Sequence, residues 1–132
     1  MSLDSNKVAV ERLKSKKTIE LLFKEGTSLF VFPLKLIYHF DEPQVIERKS
    51  VMSCGFSVPK RLHSKATTRN LLKRRLRETC RLFLTNEIAT HHILQKGNLN
   101  IMFILIDKEV TDFHVLKRSM IRLRKKLLYN LN

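Results

Sequence analysis

The chain has 132 residues, enough for one domain with a modest hydrophobic core. Its 26 Lys and Arg against 12 Asp and Glu give a formal net charge of +14, more than solubility requires, while an apolar fraction of 43% argues against a disordered basic tail. Self-repulsion of this size destabilises a compact state, so the composition indicates a polyanionic partner. Nucleic acid is the leading candidate, and an anionic membrane surface is the weaker one.

Signals for a membrane span, for export and for a zinc site are missing from the sequence. The longest apolar run, residues 101–106, is too short to span a bilayer. The N-terminus shows no basic segment followed by an apolar one, which predicts a cytoplasmic protein without a secretory signal. Neither Cys54 nor Cys80 lies in a C-x-x-C pair, so both are predicted to be reduced thiols, one in a strand and one in a helix.

The N-terminal part predicts a flexible start and one helix. Residues 1–10 are expected to be flexible, and residues 4–12 are polar. A helix is predicted over Lys16 to Glu25, with Ser15 as a possible N-cap and Gly26 as its end. The apolar residues at helical spacing in this segment are Ile19, Leu22 and Phe23.

Three strands are predicted next, over residues 27–32, 34–40 and 51–58, because these runs are rich in β-branched and aromatic residues. Pro33 separates the first two, and Asp41-Glu42-Pro43 is predicted to be a turn. The third strand alternates, and its residues with larger side chains on one face are Met52, Cys54, Phe56 and Val58.

The segment from residue 60 to 81, KRLHSKATTRNLLKRRLRETCR, contains nine Lys or Arg and one acid, Glu78. Ser64 or Thr67 is predicted to cap a helix that continues at least to Leu84 and as far as about residue 89. At about 100° per residue, one arc of this helix is cationic and the opposite arc is apolar. The members of the cationic arc are Arg69, Asn70, Lys73, Arg74, Arg77 and Arg81. Arg75 falls in the apolar arc and is expected to extend to its edge.

The C-terminal part predicts a strand and a helix. Residues 101–106 show no alternation, which indicates a central strand covered on both faces. Thr111 is predicted to cap a last helix with a basic exposed side. Its predicted buried seam consists of Leu116, Met120, Leu123, Leu127 and Leu131. The order α-β-β-β-α-β-α predicts a single-domain α+β sandwich, with one sheet and helices packed against it.

Enzyme chemistry in the protein itself is not indicated. Asp107, Glu109 and Asp112 are the only acidic cluster. They have two interpretations: a Mg²⁺ site, or a solvated turn with favourable charge at a helix N-terminus, and the second is favoured. No nucleophile motif and no glycine-rich phosphate loop is present. Catalytic and metal-binding residues are therefore predicted to be absent from the protein.

Binding chemistry is indicated by the cationic arc. Arginine guanidinium groups bind phosphate oxygens in a bidentate manner, and an exposed helix face with one acid is unusual for a merely solvated surface. Asn70 suits either a contact to a base edge or ribose hydroxyl, or a local hydrogen bond at the helix start, and these alternatives stay open. Phe23, Tyr38 and Phe56 are candidates for stacking on single-stranded bases, although core packing is the commoner role for any one of them.

The spacing of the basic residues is specific. The segment GFSVPKR at residues 55–61, then Ala66, then R-N-x-x-K-R-x-x-R-E at residues 69–78, resembles the signature of the bacterial ribonuclease P protein subunit. Arg12-Leu13-Lys14 and a helix that ends Phe23-Lys24-x-Gly26 also fit, so the resemblance covers residues 10–130.

The resemblance implies a four-stranded sheet with a left-handed β-α-β crossover through the basic helix, an exception to the general right-handed rule. It implies that the partners are the ribonuclease P catalytic RNA and precursor tRNA. No membrane and no obligate protein partner is expected. It implies that the RNA subunit performs Mg²⁺-dependent removal of the 5′ leader, with Mg²⁺ bound mainly by the RNA.

The whole chain, residues 1–132, is accordingly predicted to be one RNA-binding domain. The predicted RNA-binding residues are Lys60, Arg61, Lys65, Arg69, Asn70, Lys73, Arg74, Arg77 and Arg81. The residues that the resemblance places in a cleft for the leader are Phe23, Lys35 and Phe56. The alternative function is that of a non-catalytic ribosomal or RNA-assembly protein, and a DNA-compacting protein is a remote third.

Overall fold

The computed structural model describes residues 8–41 and 51–132, which form a five-stranded mixed sheet in the order β1-β4-β5-β3-β2. The strands are β1 (Ala9–Arg12), β2 (Thr27–Val31), β3 (Leu34–Asp41), β4 (Val51–Ser57) and β5 (Asn98–Leu105). The helices are α1 (Lys16–Glu25), α2 (Ala66–Cys80), the short α3 (Asn86–Ile88) and α4 (Phe113–Leu131). Within these residues, no helix is both long enough and apolar enough to cross a membrane.

Helix α1 has the predicted bounds because both of its end signals are local. The Ser15 hydroxyl accepts a hydrogen bond from the Thr18 backbone N–H at 3.3 Å, as an N-cap residue does. At the other end, the Gly26 N–H donates to the Leu22 carbonyl at 2.8 Å. A Cβ atom at Gly26 would collide with that same carbonyl oxygen and with the Ile37 side chain, so the close approach of the helix to β3 requires glycine.

The two faces of the sheet are covered by different helices. On one face, alternate residues of β3 and β5, such as Leu36 and Phe103, pack into the main core with α2 and α4. On the other face, Leu22 of α1 packs against Ile37 and Met102. Because both faces are covered, β5 is apolar along most of its length, and the prediction of a central strand is confirmed.

The predicted number of strands is wrong. Strand β1 pairs in parallel with β4, from Ala9 opposite Val51 to Arg12 opposite Cys54. It lies within residues 4–12, the polar segment that overlaps the predicted flexible start. The chain therefore begins its described part with a fifth, edge strand. Residues 1–7, the rest of the predicted flexible start, and the turn residues Glu42 and Pro43 lie outside the described residues.

Helix α2 links two parallel strands, β4 and β5, as the resemblance implied, and the left-handed sense of that crossover stays a prediction. The helix continues without interruption through a π-helical turn, Arg81–Thr85, into α3, which confirms the predicted length. The hydroxyl of buried Thr79 is satisfied within the helix, since it donates its proton to the Arg75 carbonyl at 2.8 Å. Arg75 itself reaches the Thr111 carbonyl at 2.8 Å and so ties α2 to the loop before α4.

Two predicted helix caps are wrong. The residue at the N-cap of α2 is Lys65, without a side-chain cap, so neither Ser64 nor Thr67 fills that role. The N-cap of α4 is Asp112, whose carboxylate accepts from the His114 N–H at 2.7 Å. Thr111 lies one residue too early. The seam of α4 is as predicted, and its buried residues include Leu116, Met120, Leu123, Leu127 and Leu131.

Candidate nucleic-acid interface

The cationic arc of α2 faces solvent while the opposite arc enters the core. Leu72, Leu76 and Cys80 are buried, which anchors the helix on the sheet. The exposed residues of the predicted arc are Asn70, Arg74, Arg77 and Arg81, and those half-buried are Arg69 and Lys73. Leu71 and Leu82, predicted to lie in the apolar arc, are 36% and 42% exposed because they lie at its margins.

A groove of about 750 Å³ runs between this helix and the β1–β4 edge of the sheet. The helix contributes Lys73, Arg77 and Arg81 to its wall. The sheet contributes Val10 and Arg12 of β1, together with Phe56 of β4. The groove therefore combines cations with an aromatic ring, which is the combination that binds single-stranded nucleic acid.

Phe56 is the aromatic centre of this groove. Its ring stacks on the buried ring of Phe103, with 5.5 Å between centroids and an interplanar angle of 9°. The guanidinium carbon of Arg77 lies 6.0 Å from the centroid of Phe56, at the outer range of a cation–π contact. Phe56 thus packs on the core and also borders the groove, and its stacking on single-stranded bases stays a prediction.

The floor of the groove depends on close packing between β4 and the segment that follows β1. The Leu13 N–H donates to the Cys54 carbonyl at 2.9 Å. A Cβ atom at Gly55 would lie 2.9 Å from the terminal methyl of Met102, so a larger residue there would displace the end of this flexible side chain. The thiols of Cys54 and Cys80 also border the groove, both buried and unoxidised.

The loop before α2 is fixed by a chain of hydrogen bonds. Arg69 donates to the carbonyls of His63 at 3.0 Å and Ser64 at 2.7 Å. The buried His63 ring contacts the Asp107 carbonyl through Nε2 at 2.7 Å, which joins this loop to the end of β5. Arg69 is thus a structural residue in this fold, and its guanidinium is only partly available for phosphate.

The other predicted RNA-binding residues differ in exposure and in their contacts within the protein. Lys60, Arg61 and Lys65 are exposed around the turn that leads into α2. Arg81 forms an exposed ion pair with Glu78, and this hydrogen bond lowers the pKa of the Glu78 carboxyl. The Asn70 side chain is exposed and forms no hydrogen bond within the described residues, which favours the first of its two interpretations, a contact outside the protein.

The acidic cluster after β5 forms a turn. The Asp107 carboxylate accepts from the Glu109 N–H at 3.0 Å and from the Thr111 hydroxyl at 3.1 Å, while Asp112 caps α4. These bonds agree with the favoured interpretation of a turn with a helix N-cap. Across residues 8–41 and 51–132, no group of His, Cys, Asp or Glu side chains is placed to hold a metal ion.

Two of the residues predicted for the leader cleft are not in the groove. Phe23 is 56% exposed on α1, and Lys35 is half-buried on β3, where it pairs with Phe30 and Ile104. Sequence reasoning missed β1, which supplies Val10 and Arg12 to the groove. The signal was weak: a run of four residues with every side chain exposed has no apolar periodicity to detect.

The model of the Ribonuclease P family matches residues 9–128 of this chain. The chain belongs to the ribonuclease P protein family. It is 30% identical over 112 residues to the ribonuclease P protein component of Porphyromonas gingivalis strain W83, with 83% of this chain and 77% of that protein covered. The family match confirms the resemblance found in the sequence.

Solved structures of family members have the same fold. The ribonuclease P protein from Thermotoga maritima superposes with a TM-score of 0.63 at 27% identity, covering 87% of this chain and 96% of that one. The Staphylococcus aureus protein gives 0.62 at 20% identity, covering 92% and 97%. Family membership makes the chain a part of an RNA-processing enzyme that associates with ribonuclease P RNA and tRNA, so the ribosomal or assembly alternative is not favoured.

Proposed function

We propose that this protein binds the catalytic RNA of ribonuclease P and the 5′ leader of precursor tRNA, and so promotes Mg²⁺-dependent removal of that leader. The observation that carries the proposal is the groove in which Lys73, Arg77 and Arg81 face Phe56 across the β1–β4 edge. Cations at this spacing neutralise consecutive phosphates, and the aromatic ring offers a stacking surface that tolerates any base. The domain is proposed to act in the cytoplasm.

The contribution of the protein is proposed to be electrostatic. Two RNA molecules that must approach each other repel, and a protein of net charge +14 placed between them reduces that repulsion. Substrate affinity then rises and less Mg²⁺ is needed for assembly. The exposed cations of α2, together with Lys60, Arg61 and Lys65, are proposed to contact the RNA subunit, while the groove takes single-stranded RNA.

The chemical step is proposed to belong to the RNA subunit, which also binds most of the Mg²⁺. Within the described residues, no group of His, Cys, Asp or Glu side chains is placed to hold Mg²⁺, and the carboxylates of Asp107 and Asp112 accept hydrogen bonds from their own turn and helix. The residues of this chain bind and orient RNA. No proton transfer or bond cleavage is assigned to them.

Reconstitution tests the proposal. The protein is mixed with a bacterial ribonuclease P RNA and a precursor tRNA at low Mg²⁺, and the released 5′ leader is quantified. We expect cleavage that depends on the protein and that falls strongly in a Lys73→Ala/Arg77→Ala double variant. The matched control is Lys96→Ala/Lys108→Ala, which removes two exposed lysines outside the groove. RNA binding without cleavage by the cognate RNA would contradict the proposal.

A further inference from the structure

The basic side of α4 divides into two groups. Lys117 and Arg124 are engaged within the protein: the Lys117 ammonium lies 5.0 Å from the centroid of Phe83, and Arg124 donates to the Phe83 carbonyl at 3.0 Å. Arg124 also lies 3.3 Å from a carboxylate oxygen of Glu87. These two cations stabilise the packing of α4 on the end of α2 and are not available to a ligand.

The second group is free. Arg122, Lys125 and Lys126 are exposed and form no ion pair or hydrogen bond within residues 8–41 and 51–132. Side chains at positions i, i+3 and i+4 lie on one face of a helix, so the three charges form one cluster. Like charges held together without an acid repel each other, and the cluster is favourable only when an anion is bound to it.

One exposed phenylalanine ring stands beside these cations. Phe30 and Phe32, at the β2–β3 hairpin, are 53% and 61% exposed, and both residues border a shallow groove of about 480 Å³ together with Arg122, Lys125 and Lys126. Leu29 and Val31 pack on the core below α4, so alternation along β2 directs the Phe30 side chain to the other face of the sheet. Phe32 therefore supplies the aromatic ring next to the three unpaired cations.

The position of the hairpin relative to α4 is fixed. The hydroxyl of buried Ser119 donates to the Phe32 carbonyl at 2.9 Å, and Leu29 and Val31 of β2 pack against the core that contains the α4 seam. Phe32 and the α4 cations are therefore held on one rigid unit. Within the described part of the chain, no acidic residue lines this groove, so no described carboxylate there opposes a polyanion.

This surface is distinct from the groove beside α2. In the sheet order β1-β4-β5-β3-β2, the first groove is at the β1 edge and the second is at the β2 edge. Four strand spacings of about 4.8 Å separate these edges, a distance of roughly 19 Å. A segment of RNA bound at one edge leaves the other edge open.

We propose that Phe32, Arg122, Lys125 and Lys126 form a second RNA-binding surface, which takes a single-stranded segment. A base stacks on the Phe32 ring while the cations bind the neighbouring phosphates. An acidic protein segment would use the charges but not the flat ring, whereas single-stranded RNA uses both. The inference rests on the proposed function only in that RNA is the partner.

Fluorescence anisotropy with a short labelled oligouridylate tests this surface. All variants carry Lys73→Gln and Arg77→Gln, so that the remaining affinity reports on the second surface. We expect Phe32→Ser to weaken binding by about tenfold without changing the salt dependence, because stacking is removed. We expect Lys125→Gln/Lys126→Gln to weaken binding and to lower the slope of log K against log salt by roughly 0.7 for each phosphate that is no longer neutralised.

Matched controls separate the surface from general effects. Phe30→Ser removes an exposed phenylalanine ring from the other face of the sheet, and Lys96→Gln/Lys108→Gln removes two lysines elsewhere. Equal losses of affinity in test and control variants, or no loss in either test variant, would overturn the proposal. So would phenylalanine-dependent binding to phosphatidylglycerol vesicles without binding to the oligouridylate. Thermal unfolding of each variant verifies that the fold is retained.

The result of the oligouridylate experiment is independent of the result of the reconstitution that tests the proposed function. If the second surface does not bind RNA, the wild-type protein still supports leader release in reconstitution. If the proposed function is wrong, leader release is absent, yet the effect of Phe32→Ser on oligouridylate binding is still measurable.

Discussion

The ring of Phe56 contacts both the buried ring of Phe103 and the guanidinium of Arg77. Phe56 stacks on Phe103 at 5.5 Å between centroids, while the Arg77 guanidinium carbon is 6.0 Å from the Phe56 centroid. A core residue therefore orients a groove residue, which in turn contacts a cation of the proposed RNA interface. The aromatic surface of the groove is fixed before any RNA binds.

Phe56→Leu is predicted to weaken leader binding more than it weakens the fold. Leucine keeps much of the buried volume but removes the stacking ring, which is worth about 1–3 kcal/mol per base. We expect the affinity for precursor tRNA to fall by about tenfold and that for a tRNA without a leader to stay unchanged. Equilibrium binding of both substrates by the reconstituted holoenzyme measures this. Equal decreases for both would contradict a leader contact.

Arg69→Ala is predicted to lower the free energy of unfolding by about 1–2 kcal/mol, since it removes two hydrogen bonds from a charged guanidinium to loop carbonyls. Urea unfolding measures the effect. Lys73→Ala is the matched control, because Lys73 is half-buried on the same helix and forms no hydrogen bond within the described part of the chain. An unchanged stability in Arg69→Ala would show that the loop is held by other contacts.

Asn70→Ala is predicted to affect RNA affinity and not stability, in contrast to Arg69→Ala. Its side chain is exposed, so the free energy of unfolding should change by less than about 0.5 kcal/mol. The affinity for ribonuclease P RNA should fall, because a group that can both donate and accept a hydrogen bond is removed. Filter binding with the RNA subunit measures the affinity. A destabilised variant with normal affinity would instead support the local hydrogen bond.

The Cys80 thiol gives a pH dependence with a defined sign. Two effects raise the pKa of Cys80 well above its ordinary value of 9.0. The larger is a hydrogen bond with the Cys54 thiol, and the smaller is burial. The native protein therefore holds this proton more tightly than the unfolded chain, so the contribution of this thiol to stability is complete below about pH 9 and falls as the pH rises above it. We expect urea unfolding to show a steeper decrease of stability between neutral and alkaline pH in wild type than in Cys80→Ala.

A reactivity measurement complements this prediction. The thiolate is the reactive form of cysteine, so a raised pKa together with burial should make Cys80 react slowly with a thiol reagent in the native state. Labelling in urea provides the fully accessible rate. Native labelling at a comparable rate would contradict the close packing of the two thiols.

Local signals explain what can be predicted from the sequence. The sequence predicts helix α1 with its observed bounds because Ser15 and Gly26 act within their own helix. It predicts the buried seam of α4 because helical periodicity records burial directly. The cationic face of α2 is predictable for the same reason, and its specific spacing indicates the family that the comparisons confirm.

Non-local contacts explain the failures. Strand β1 exists because Ala9 to Arg12 pair with a strand about forty residues further along the chain, and no local pattern records that pairing. Arg69 lies in the cationic arc, yet its hydrogen bonds with the preceding loop depend on how that loop folds back. Phe23 lies outside the α2 groove although Ile19 of the same helix lines it, and the leader contact of Phe23 stays a prediction.

The parallel edge strand β1 has a kinetic consequence. It gains its backbone partners only after β4 has been synthesised, and all four of its side chains are exposed. Such a strand belongs to the least stable part of a domain and opens locally without global unfolding. The backbone amides of β1, which forms one wall of the groove, should therefore exchange with solvent well before those of β5. Bound RNA should slow that exchange.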